Sequence, residues 1–205
     1  MRINPTLATI GIAAALLATA CGSAGTYAGT STIPGTAAAE VAAVDPNAPE
    51  VVEPGDIPDD QVFIPFAPAT GGYTVTVPEG WARTETGDQV EFTDKYNSIT
   101  LVSYPSVAAP SIETVKSDGL SDVTSDPTFI LNDVTSVTRA AGTDVLASYE
   151  IGSAANPTTG KKALLSVERH FFFHNETVVS LTLSGAKGAD NVDPWRIVSD
   201  SLMWT

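Results

Sequence analysis

From Gly71 onward the apolar residues of this chain recur at every second position, and that period restricts the chain to strands over most of its length. Tyr73, Val75 and Val77 alternate with Thr74 and Thr76 before Pro78-Glu79-Gly80 closes the run as a turn. Val90 to Thr93 and Ser98 to Tyr104 read as a hairpin across Asp94-Lys95-Tyr96-Asn97. Residues 129–139, 145–151, 163–174 and 177–184 read as further strands, with Gly142-Thr143 and Asn175-Glu176 where hairpin turns belong. Two stretches have a helical period instead. Ser111 is placed to cap a helix with Glu113 in its first turn and Ile112, Val115, Gly119 and Val123 on one face, and Pro127 bars its continuation. Asp193-Pro194 starts a closing helix whose Trp195, Val198 and Leu202 face one way, out to Trp204. These elements predict an α+β domain over residues 71–205: an antiparallel sheet flanked by helices.

The preceding segment has a different composition. Residues 22–70 hold seven of the 14 prolines and seven carboxylates, with no Lys or Arg. Such a stretch cannot bury enough apolar surface to offset the entropy of ordering it, so it reads as an extended tether. Val62-Phe63-Ile64-Pro65-Phe66 is too apolar for that role and is expected to dock on the domain edge or on a partner. Asp56, Asp59 and Asp60 lack the spacing of a calcium loop and read as solvated linker charge.

Charge and cysteine count exclude several functions. The chain carries 10 Lys and Arg against 24 Asp and Glu, a net −14, with the cations scattered. Phosphate neutralisation needs clustered cations, so a nucleic-acid partner is not expected. The single Cys, Cys21, can form neither an internal disulfide nor a thiolate zinc cage. Residues 1–20 have the parts of an export signal: Arg2, an apolar run from Leu7, and small residues before Cys21. That run is roughly 15 residues, short of the ~20 that a membrane-crossing helix needs.

Leu17-Ala18-Thr19-Ala20-Cys21-Gly22-Ser23 resembles the lipobox of bacterial lipoproteins. The resemblance implies a diacylglycerol on Cys21, cleavage just before it, and attachment to the outer face of the cell membrane by acyl chains sufficient for stable anchoring. A plain secretory signal cut after Ala20 is the other reading of the same residues. The expected organisation is a signal peptide over 1–20, a lipidated Cys and tether over 21–70, and a domain over 71–205.

Tyr73-Thr74-Val75-Thr76-Val77-Pro78-Glu79-Gly80-Trp81 resembles the opening strand and turn of PsbP-like domains, whose relatives include the Mog proteins and LpqN-type lipoproteins. The likeness continues through Val90-Glu91-Phe92-Thr93-Asp94 and ends in Ile197-Val198-Ser199-Asp200-Ser201-Leu202-Met203-Trp204. It implies an α/β/α sandwich acting in docking, assembly or carriage, with no shared catalytic residue and no cofactor.

The densest chemistry lies in Glu168-Arg169-His170-Phe171-Phe172-Phe173-His174-Asn175-Glu176, which holds both histidines. On a strand, His170 and His174 share a face but stand ~13 Å apart, too far to hold one metal ion. No metal site is therefore expected. Asn175-Glu176-Thr177 fits a glycosylation sequon but reads better as a hairpin turn, and Gly160-Lys161-Lys162 lacks the spacing of a phosphate loop. No G-x-S-x-G or S-x-x-K motif marks a serine nucleophile. Trp81, Trp195 and Trp204 read as core anchors.

The resulting expectation is a non-enzymatic envelope module that docks a protein partner. One alternative is a carrier whose apolar cleft, with Phe171, Phe172 and Phe173, receives a lipid. Another is a small hydrolase using His170 or His174. The domain itself carries nine basic residues against 17 acidic ones, which favours a basic or neutral partner.

Overall fold

The computed structural model describes residues 55–155 and 159–205; the expected export signal, Cys21 and most of the expected tether lie outside them. Seven strands form one antiparallel sheet: β3 (Ala82–Thr86), β4 (Gln89–Asp94), β5 (Asn97–Pro105), β6 (Ile130–Arg139), β7 (Gly142–Gly152), β8 (Leu164–His174) and β9 (Thr177–Ala186). Their spatial order is β3-β4-β5-β9-β8-β7-β6. A second sheet has three strands, β1 (Phe63–Phe66), β2 (Tyr73–Pro78) and β10 (Met203–Trp204), with β2 in the middle. The expected α+β antiparallel architecture is what the chain adopts.

The period-two pattern gives the large sheet two apolar faces. Ile99, Leu101, Phe172, Leu181 and Leu183 point to one side, where they meet β2 and helix α2 (Val192–Asp200) through Val75, Val77, Trp195 and Val198, with Leu202 just beyond the helix. Val145, Ala147, Tyr149, Val167 and Phe171 point to the other, under Val115 and Leu120. Burying each Val, Leu, Ile or Phe side chain of these sets stabilises the fold by about 1.5–3 kcal/mol.

Residues 55–66, which composition assigns to the tether, pack on the domain. Phe66 pairs with Val75 across β1 and β2, is 7% exposed, and meets Phe92 edge-to-face at 5.2 Å. Ile57 is buried, and its backbone N–H donates to Asn191 Oδ1 at 2.8 Å. Asn191 Nδ2 and Asn97 Nδ2 both donate to the carbonyl of Gly55, and Asn191 Nδ2 also donates to Asn97 Oδ1. Gly185 lies beneath this buried pair: a Cβ there would sit 2.6 Å from both amides.

The helices differ in detail from the periodic reading. Ser111 caps as expected, with Thr114 reciprocating to close a capping box. The α-helical turn is only α1 (Ile112–Thr114), followed by a π-helical stretch, Val115–Gly119, at whose end a Cβ on Gly119 would sit 3.1 Å from the Phe171 ring. The second helix starts at Val192 with Asn191 preceding it, Pro194 lies inside the first turn, and Trp204 belongs to β10. Trp204 Nε1 donates to the carbonyl of Ala141, and its ring stacks on His174. The strand β3 is absent from the sequence reading, since all five of its residues are exposed.

Candidate functional site

The two apolar faces do not coincide. The segment from α1 to Leu120 packs through Val115 and Leu120 on β6, β7 and β8 and on Val178 of β9, and leaves the β4, β5 and remaining β9 part of that face to line a cleft. Two rungs of paired residues cross this open floor: Thr84–Glu91–Thr100–Thr182–Arg169 and Thr86–Gln89–Val102–Ser180–Phe171. Threonine and serine suit a half-solvated strand face, where hydroxyls stay wet and β-branching fits the pleat. The loop after β5, from Ser106 to Pro110, rises beside the floor. Ser106 fixes it with an N–H to the carbonyl of Glu176 and a hydroxyl to the carbonyl of Ala108.

Loop, helix and floor enclose a cleft of about 580 Å3. Val102, Val107, Val115, Phe171 and Val178 supply its apolar surface, and Gln89, Thr100, Ser180 and Thr182 its polar floor. Val107 stands on the rim 97% exposed, next to the exposed Tyr104. Burial raises the Tyr104 phenol above its ordinary value, with Arg169 opposing the shift, so the ring enters the cleft as a neutral amphipathic wall.

Arg169 closes one end. Its Nη1 and Nη2 donate to the two carboxylate oxygens of Asp122 at 2.8 and 3.0 Å. Nη1 also donates to the carbonyl of Gly119, Nε donates to Thr182 Oγ1, and the guanidinium lies over the Tyr149 ring. Burial works against its charge, but Asp122 and Tyr149 outweigh that and raise its pKa. The guanidinium therefore serves as a clamp that pins the π-helical stretch to the sheet.

The aromatic triplet is divided by the strand period. Phe171 lines the cleft, Phe172 lies in the opposite core, and Phe173 packs partly buried beside the Phe171 core. His170 shares the side of Phe172 and stacks on it at 5.8 Å. Its Nδ1 meets Asp144 Oδ2 at 2.6 Å, and neither side chain has any exposure. A hydrolytic histidine held this way would hold a nucleophile with Nε2. Here Nε2 has no hydrogen-bond partner, only Glu168 at 3.5 Å, and no substrate can reach it. Burial pulls the His170 pKa down, but Asp144 and Glu168 outweigh it and leave the value raised. His174 is exposed on a different environment, stacked on Trp204 at 5.3 Å. Among the described residues no three His, Cys, Asp or Glu side chains converge as a metal site. No helix among them is long and apolar enough to cross a membrane.

Of the apolar cleft that the sequence suggests at Phe171, Phe172 and Phe173, only Phe171 lines the cleft of the structure, and the sequence does not show its Arg169 end or its loop wall. The exposed run Val107-Ala108-Ala109 between Pro105 and Pro110 was its available signal: apolar residues with no period and no charge. The Arg169–Asp122 pair joins residues 47 positions apart and leaves no local trace.

The fold matches that of cyanobacterial PsbP (CyanoP) from Synechocystis sp. PCC 6803, with a TM-score of 0.50 at 12% identity over 74% of this chain and 98% of that one. At that identity the likeness shows the fold alone. Lower scores come from the Ran-binding protein Mog1p of Saccharomyces cerevisiae (0.48, 11% identity, 69% of this chain and 95% of that one) and from LpqN of Mycobacterium tuberculosis, a protein involved in cell envelope biogenesis (0.41, 13% identity, 72% and 92%). No family model and no curated protein matches the sequence. The chain is thus an α+β protein with a PsbP-like fold.

Proposed function

We propose that this is an exported protein, anchored to the outer face of the cell membrane through lipid on Cys21, whose domain docks a partner protein. The observation that carries the docking reading is the open cleft with Val107 and Tyr104 exposed on its rim. An apolar side chain presented to water beside a preformed concavity gains by burial against a partner. The cleft contains hydroxyls and carboxylates but no histidine, and both histidines lie elsewhere, one sealed and one stacked. Of the aromatic triplet only Phe171 faces the cleft, and the polar groups of Gln89, Thr100, Ser180 and Thr182 stand beside its apolar lining, which supports a protein segment over an acyl chain. Anchor and docking are tested separately. Cys21→Ala should move the protein from the membrane to the exported fraction and remove lipid mass; unchanged fractionation with no lipid mass contradicts the anchor. Native mass spectrometry of the protein purified from its own envelope should show a co-purifying polypeptide, and a co-purifying lipid of defined mass contradicts docking.

A further inference from the structure

We infer that the cleft recognises a short segment in which apolar side chains alternate with lysine or arginine. This rests on the docking reading and specifies the chemistry of the partner. Arg169 is the one cation in the lining among the described residues, and its nitrogens are committed to Asp122, Thr182 and the carbonyl of Gly119. The charge left facing a ligand is negative. Asp118 stands exposed on the lining, bonded to Ser117 and with no Lys or Arg in ion pairing among the described residues. Glu91, half-exposed between Thr84 and Thr100 on the same sheet face, stands outside the lining. Lys116, on the same stretch as Asp118, is outside the lining.

The cleft therefore has three kinds of surface close together. A strip formed by Val107, Val115, Phe171 and Val178 takes an apolar side chain. The hydroxyls of Thr100, Ser180 and Thr182 offer donors and acceptors to a peptide main chain. Asp118 attracts a cation held beside it. A volume of about 580 Å3 is that of a small-ligand site, enough for a few residues rather than a folded surface. The excess of acidic over basic residues in the domain steers a basic segment in and keeps an anionic one out.

The test uses the 15N-labelled chain carrying Cys21→Ala and three probes: a seven-residue peptide alternating Val and Lys, the same peptide with Glu for Lys, and laurate. The Val-Lys peptide should shift amides of residues 106–110, 114–119 and 180–182, and the Val-Glu peptide should bind about tenfold more weakly. Asp118→Asn should weaken the Val-Lys peptide two- to fivefold, as expected for one rim ion pair, with the remaining spectrum unchanged. Equal affinity for the two peptides, no shifts with either, shifts confined to other residues, or cleft shifts with laurate alone each overturn the inference. If a protein still cross-links to Val107 in cells after such a result, docking stands and only the assigned chemistry falls.

Discussion

Two residue-level arrangements have measurable consequences. Asn191 satisfies the N–H of Ile57, the carbonyl of Gly55 and Asn97 Oδ1 in a buried setting. Asn191→Ala strands the N–H of Ile57 and Asn97 Oδ1, while Asn97 still donates to the Gly55 carbonyl, and should cost about 3 kcal/mol in urea unfolding, since each unsatisfied buried group costs about 1–3 kcal/mol. Gly185→Ala should be as damaging through steric displacement of the same pair. His170 makes stability depend on pH. Its folded pKa lies above the unfolded value of about 6.5, so its contribution is complete below that value and is lost as pH rises through the folded one. Urea midpoints should fall across that window, and His170→Asn should flatten the fall relative to the unmodified protein; an unchanged slope contradicts the assignment. The sequence showed a histidine among phenylalanines on a strand. It could not show Asp144, which reaches His170 only because β7 lies beside β8.

At the scale of elements, what was legible followed from burial. Strands β2, β4, β5, β8 and β9 bury one or both faces and therefore carry a strong alternating pattern. β3, Ala-Arg-Thr-Glu-Thr, is an edge strand exposed throughout and has none. The helix after Ser111 was legible in its cap and its apolar face, but not in its π-helical form or in the close approach of Gly119 to the Phe171 ring, 52 positions away. That segment forms one wall of the cleft, and the Arg169–Asp122 pair holds it. Asp122→Asn should cost only about 1 kcal/mol, because Asp122 is well exposed and the pair is screened. Hydrogen exchange should nevertheless quicken across residues 115–124. The docked strand β1 should matter more: Phe66→Ala should destabilise by about 3–5 kcal/mol, the range for a large core truncation. A loss under 1 kcal/mol would show that β1 adds little to the core.

For the whole molecule, the offset between the two covers of the large sheet produces the candidate site. Helix α2 and the three-stranded sheet pack on one face, the α1 segment covers only part of the other, and the uncovered part becomes the cleft floor. Composition shows an acidic domain, and periodicity foretold the sheet. Neither could place the loop bearing Val107 beside that floor, because the packing that does so joins β5, β9 and α1 through long-range contacts. The docking claim is tested most directly by a photo-crosslinking residue at Val107, introduced into the full chain in its native cells. Ile197, exposed on α2 against the opposite face, is the control position. The account predicts a discrete protein adduct at position 107 that is absent at position 197. A lipid adduct alone, or no adduct at position 107, would contradict it.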